Sequence, residues 1–179
     1  NGTGWGGIGV ATNNKNILAK IYNNTILCDD IFSTGSLGTV TYTSLQVNVY
    51  GTSATTKEVN IKNNILLNNE DGFTAYAFLW SNTSGITTLL SDYNDLYISN
   101  VSGKLAKAGS IEYVDLAAWQ AGVSKDANSI SKAVNFVDAA NGDLHLTGSS
   151  LGDTDLIGDP SVGITTDIDG QTRHVTYPY

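Results

Sequence analysis

Three stretches of this chain repeat one short pattern, each built around an asparagine: Ala19-Lys20-Ile21-Tyr22-Asn23-Asn24-Thr25-Ile26, Val59-Asn60-Ile61-Lys62-Asn63-Asn64-Ile65-Leu66, and Leu89-Leu90-Ser91-Asp92-Tyr93-Asn94-Asp95-Leu96. A strand motif that returns after long, uneven intervals predicts stacked strands of a solenoid rather than a sheet of hairpins. With Asn24, Asn64 and Asn94 as reference, apolar residues stand at odd offsets before the Asn and at even offsets after it. Period-2 alternation predicts half-buried strands, and its break at the Asn predicts a bend. Asn enters the left-handed backbone region more easily than other non-glycine residues. Stacked Asn side chains can also form hydrogen-bonded ladders from layer to layer.

The repeats are separated by segments of unequal length. Ser33 to Thr56 reads as a long excursion carrying strands of its own, Val40-Thr41-Tyr42-Thr43 and Leu45-Gln46-Val47-Asn48-Val49-Tyr50. The expected fold class is all-β: a right-handed parallel β-helix with long side loops and one short α-helix. The whole of 1–179 reads as one domain, with repeat coils over 1–100 and a hairpin, a helix and final strands over 101–179. In the latter part, Gly103–Ala106 and Ser110–Val114 predict the hairpin, and Asp115 to Ala121, with an acidic N-cap and Gly122 closing it, predicts the helix. Leu116 and Trp119 are its expected packing residues. Ala133–Val137 and Asp143–Thr147 predict two last strands, with His145 facing solvent or an edge.

Composition excludes several functions. A net charge of −8 argues against nucleic acid and against anionic membrane surfaces, which select basic patches. No apolar run approaches the length of a membrane span, so membrane insertion is not expected. Cys28 is the single cysteine, which leaves no internal disulfide, and its strand position predicts a buried, inert thiol. The chain begins at Asn1 without methionine, so it reads as a processed product or fragment. Gly2 to Val10 has no charged cap, which predicts an exposed first coil covered by missing sequence or by a neighbouring copy stacked head to tail.

One ordered set of segments carries a family resemblance. It runs Tyr93-Asn94-Asp95-Leu96-Tyr97, Leu116-Ala117-Ala118-Trp119-Gln120, Asp126-Ala127-Asn128-Ser129-Ile130, Phe136-Val137-Asp138, Gly142–Thr147 and Thr166–Arg173. This order resembles the C-terminal end of secreted bacterial right-handed parallel β-helix proteins related to pectate lyases, over about residues 57–175. The resemblance implies an extracellular or cell-surface location and a carbohydrate-related or adhesive role, with polysaccharide or another surface protein as partner. The chain departs from the pattern by ending at Tyr177-Pro178-Tyr179, where such proteins continue to a sorting or anchoring segment.

Candidate sites are sparse. A lyase of this kind needs a Lys or Arg base and Ca²⁺ or a cationic residue to neutralise a uronate carboxylate. Lys20 and Lys62 point outward from the repeat but share no column. Glycoside hydrolysis needs two opposed carboxylates, and no motif singles out a pair. Asp30, Glu70 and Asn100 stand six residues after the reference Asn, so in register they form an oxygen-rich column that Ca²⁺ could bridge. Asp167-Ile168-Asp169-Gly170 matches part of a calcium loop; the alternative is a turn in which Arg173 pairs with Asp169. Trp80, Tyr76, Tyr42 and Tyr50 are candidate sugar platforms. Asn1, Asn23, Asn82 and Asn100 head glycosylation triplets. The function expected from this balance is a non-catalytic extracellular structural or adhesive module, self-associating end to end; the alternative is a polysaccharide lyase or glycoside hydrolase.

Overall fold

The structure is a computed structural model that describes residues 7–13, 16–29, 41–50, 56–70, 74–83, 86, 88–100 and 103–173. It is mostly β, and its sheets are mainly parallel. Nine strands follow one another in three rounds: β1 Ile8–Asn13, β2 Ile17–Tyr22 and β3 Thr25–Cys28; β4 Thr41–Tyr50, β5 Lys57–Lys62 and β6 Ile65–Asn68; β7 Thr74–Trp80, β8 Thr88–Asp92 and β9 Asp95–Ile98. Each strand pairs in parallel with the one three places on, giving sheets β1-β4-β7, β2-β5-β8 and β3-β6-β9. The register places like residues above one another: Ala19, Val59 and Leu89; Ile21, Ile61 and Ser91; Ile26, Leu66 and Leu96. Their side chains face inward and form the core with Leu45, Val47 and Phe78. Such close-packed columns tolerate little change of volume.

The stretch read as an excursion from Ser33 to Thr56 is different in the structure. Its main described part, β4, is an interior strand of the largest sheet, flanked by β1 and β7. Ser44 and Leu45 are both fully buried. All six residues from Tyr42 to Val47 are buried, in unbroken register against β7, so the strands read in this stretch are one strand of the stack, covered on both faces, rather than part of a side loop.

The end beyond the third round is covered. β10 (Ala106–Ala108) extends the first sheet in parallel beside β7, and β11 (Ile111–Tyr113) turns back on it antiparallel. Helix α1 (Leu116–Val123) follows, with Asp115 capping it by accepting from the backbone N–H of Ala118 at 2.8 Å. Trp119 is wholly buried and meets Phe78 and Tyr113 at ring separations of 5.2 and 5.3 Å. Gly122 does not close the helix, which runs on to Val123 and ends at Ser124 with φ 54°. Its lack of a side chain instead admits the Tyr113 ring, 2.2 Å from where a Cβ would lie. Asp126 donates its backbone N–H to the Ser91 carbonyl, and Ile130 bridges to Asp95. Among the described residues, β1, β2 and β3 pair on one edge only, whereas the far end has these covers. A second copy stacking head to tail would therefore meet an uncovered edge on one side and a covered end on the other. Of the Gly2–Val10 stretch, the first five residues lie outside the described residues. The final antiparallel pair is β12 (Phe136–Asp138) with β13 (Asp143–Leu146), shorter than the strands expected there.

Candidate functional site

At each junction between the second and third strand of a round, the backbone turns through one left-handed residue: Asn23 (φ 55°), Asn63 (φ 58°) and Tyr93 (φ 55°). The next residue points inward. Asn24 donates its side-chain N–H to Oδ1 of Asn64 at 2.9 Å, and Asn64 donates to Oδ1 of Asn94 at 2.9 Å. The backbone N–H groups of Asn24 and Asn64 reach the same two acceptors at 3.1 Å. Asn64 and Asn94 also donate to the Ile21 and Ile61 carbonyls. The ladder expected from the repeat is thus present, and every rung points the same way.

It stops at a carboxylate. Oδ1 of Asp126 accepts from the Asn94 amide at 3.1 Å, from Ser91 Oγ at 2.9 Å and from Ser129 Oγ at 2.7 Å, and its Oδ2 accepts from Trp119 Nε1 at 2.8 Å. A carboxylate has only acceptors, so it can receive the last donor but pass none on. Asp126 terminates the ladder and holds the Trp119 cap in one arrangement.

One residue beyond each ladder Asn, the side chain points away from the core: Thr25, Ile65 and Asp95. The chain after α1 returns along this outer surface. Asn128 donates from its backbone and side chain to the Asp92 carboxylate, both at 2.7 Å, against the third round. Further on, Asp159 reaches the second round. Its carboxylate pairs with Lys62 Nζ at 2.7 Å, its backbone N–H donates to Asn63 Oδ1 at 2.7 Å, and its carbonyl accepts from the Asn63 amide at 2.9 Å. Gly158 makes that approach possible, since a Cβ there would lie 2.7 Å from Asn63 Cγ. Between the returning segment and the turns lies a cleft of about 920 Å³, lined among others by Tyr93, Asp95, Asn128, His145, Asp155 and Arg173.

Three charged groups define the electrostatics. Asp95 is 3% exposed. Its Oδ1 accepts the Lys132 backbone N–H at 2.9 Å, and its Oδ2 has no hydrogen-bond partner. Burial pushes its carboxyl up to about 7, opposed by the Lys132 hydrogen bond and charge and reinforced by Asp153. Lys132 Nζ bridges Asp153 at 2.5 Å and Asp155 at 2.9 Å. His145 stands between two carboxylates, with Nδ1 2.5 Å from Asp143 and Nε2 2.7 Å from Asp169. Those hydrogen bonds, Asp143 first, hold the imidazole above its ordinary value. With an acceptor on each ring nitrogen, the protonated form satisfies both.

The candidate residues fall out as follows. Lys62 is held as an ammonium by Asp159, which raises its pKa, the wrong direction for a base. Lys20 is exposed on β2, away from the cleft lining. Asp169 pairs with His145 rather than with Arg173, whose Nε donates to the Thr166 carbonyl at 3.1 Å. Asp167 spends Oδ1 on the backbone N–H groups of Asp169 and Gln171. Glu70 is buried, and Asn100 donates to its backbone carbonyl rather than sharing a cation with it; Asp30 lies outside the described residues. Among the described residues no three His, Cys, Asp or Glu side chains are grouped to hold a metal.

Tyr42 and Tyr76 are 6% and 2% exposed, their rings taken up by packing, and Tyr76 donates its hydroxyl to Glu112 at 2.6 Å. Both are unsuited to be open sugar platforms. Trp80 is half-buried with its indole N–H on the Asn82 carbonyl, and the side chain of Tyr50 lies outside the described residues. Of the glycosylation candidates, Asn100 uses its amide on Glu70, Asn23 occupies a turn, Asn82 follows β7, and Asn1 is outside the described residues. Cys28 is buried, and burial pushes its thiol up.

Sequence reasoning missed Asp95 and Asp126. An acid in the outward column beside Thr25 and Ile65 was the available signal for the first. The second lies in a segment whose spacing departs from the repeat. Comparison with family models, curated proteins and solved structures found no match. Among the described residues no helix is long and apolar enough to cross a membrane.

Proposed function

We propose that this chain is a non-catalytic, extracellular structural or adhesive module whose three rounds form a right-handed parallel β-helix of the pectate-lyase-like kind. The handedness follows from the preference for right-handed crossovers between parallel strands of one sheet. The observation that carries the reading is the one-way Asn ladder, closed by Asp126 at one end and running at the other to strands that, among the described residues, pair on one edge only. Order of this kind fixes the register of a stack and has no catalytic use. The edge of β1, β2 and β3, without a partner strand among the described residues, is the natural surface for association, since an open strand edge is a template for another chain. Sedimentation and electron microscopy across a concentration series test it. Growth of oligomers supports the reading, and a strictly monomeric chain at high concentration removes self-association.

The enzymatic alternative, uronate elimination or glycoside hydrolysis, finds less support. Lys62 is committed to Asp159, and Asp95, whose carboxyl burial pushes up to about 7, is only 3% exposed. Release of unsaturated products from uronate polysaccharides with Ca²⁺ would reverse this preference.

A further inference from the structure

We propose that the returning segment from Asp126 to Asp159 is a proton-linked clasp, seated on the turns while Asp95 is protonated and loosened when Asp95 ionises. Asp95 sits beneath this segment, with Ile65 of β6 on one side and Ile130 on the other. One carboxyl oxygen takes the Lys132 backbone N–H, and the other is buried without a partner. A neutral carboxyl tolerates that enclosure. An ionised one is a buried charge with a single backbone donor, and such a charge is costly unless paired.

The surrounding groups give little compensation. Lys132 is the cation facing Asp95, but its ammonium is already shared by Asp153 and Asp155. Asp92, on the preceding strand, is engaged by Asn128, and the Lys62 ammonium is engaged by Asp159. The Asp153 charge adds to the burial that favours the protonated form of Asp95. His145, which also lines the cleft, is engaged by Asp143 and Asp169. The cheapest relief for an ionised Asp95 is hydration: the residue borders the cleft, but its Oδ2 is buried beneath the segment, and lifting the segment opens that oxygen to water.

The sign follows from linkage. Asp95 binds its proton more tightly when the clasp is seated, with a value near 7 against an ordinary 3.8. The seated state is therefore favoured fully below about pH 4 and loses that advantage as pH rises to about 7. The Lys62–Asp159 pair does not oppose this trend, because Asp159 is held down to about 2 and stays ionised throughout that window.

Hydrogen exchange on the intact chain at pH 4.5 and 7.5, corrected for intrinsic amide chemistry, reads the clasp directly. The amides of Leu96 and Lys132, bonded to Ile130 and Asp95, should open on the order of a hundredfold more at pH 7.5, while those of β5 change little. Asp95→Asn, which copies the neutral carboxyl, should abolish the rise. Equal protection of the wild-type clasp at both pH values would overturn the proposal, as would an Asp95→Asn variant that keeps the wild-type rise. Should that variant fail to fold, the carboxyl carbon of wild-type Asp95 decides by NMR: a midpoint near 7 supports the clasp and one near 4 overturns it.

Discussion

At Asn64 a single side chain satisfies both neighbours in the stack. It accepts from the backbone and amide of Asn24 and donates to Asn94 and to the Ile21 and Lys62 carbonyls. Replacing it with Ala strands several buried polar groups, and we expect a loss of about 3 kcal/mol in urea denaturation, against about 1 kcal/mol for the half-buried Asn24→Ala. The ladder was legible in the sequence because the second Asn of each repeat recurs between matching flanks; the left-handed residue is the one before it, which is Asn in two rounds and Tyr93 in the third. Asp126 was not, since its partners Ser91, Ser129 and Trp119 come from three separate segments and no local spacing announces them. His145 looked like an ordinary surface histidine for the same reason: Asp169 is distant in sequence. Its NMR titration midpoint should lie above 6.5, and Asp169→Asn should bring it back down, since the clamp stabilises the cation. The stability it confers is present at pH values below 6.5 and is lost as pH rises through its elevated midpoint.

Elements built on one alternating face, β2, β5 and β8, could be read from the chain because each shows inward residues at every second place. Strands β4 and β7 could not be assigned to a shared sheet in the same way. β7 is buried continuously from Ala75 to Leu79, and β4 from Tyr42 to Val47. A strand covered on both faces loses the polar half of its pattern. Helix α1 was legible from its cap and composition, with its end misplaced because Gly122 serves the Tyr113 contact rather than the terminus. Two changes probe this cap. Trp119→Ala should cost about 4 kcal/mol, as expected for removing a buried indole from a packed site. Gly122→Ala should also destabilise, by forcing Tyr113 off the helix, and Tyr113→Ala in the same chain should relieve part of that loss. Thermal unfolding of the two single variants and the double variant measures both effects.

Across the whole molecule, the returning segment joins parts of the chain that are far apart in sequence. Asp159 meets Lys62 and Asn63, which stand 97 and 96 positions away in sequence, respectively. The ion pair is partly solvated, so Asp159→Ala should cost only about 1 kcal/mol globally. Its local effect should be larger: limited proteolysis of the variant should cut first between Asn141 and Gly158 and leave the three rounds intact. Cutting within β5 or β8 at the same rate would show that the segment and the stack unfold together.

The direction of the Asn ladder also governs how such a molecule can change by gene duplication. A copied round inserted between Asn24 and Asn94 finds a donor on one side and an acceptor on the other, and the chain of amides continues unbroken. A copied round placed after Asp126 finds only a carboxylate, which has no amide hydrogen to offer the next side chain. Lengthening is therefore permitted on one side of Asp126 and barred on the other. That residue acts as a full stop in the molecule's grammar of repeats.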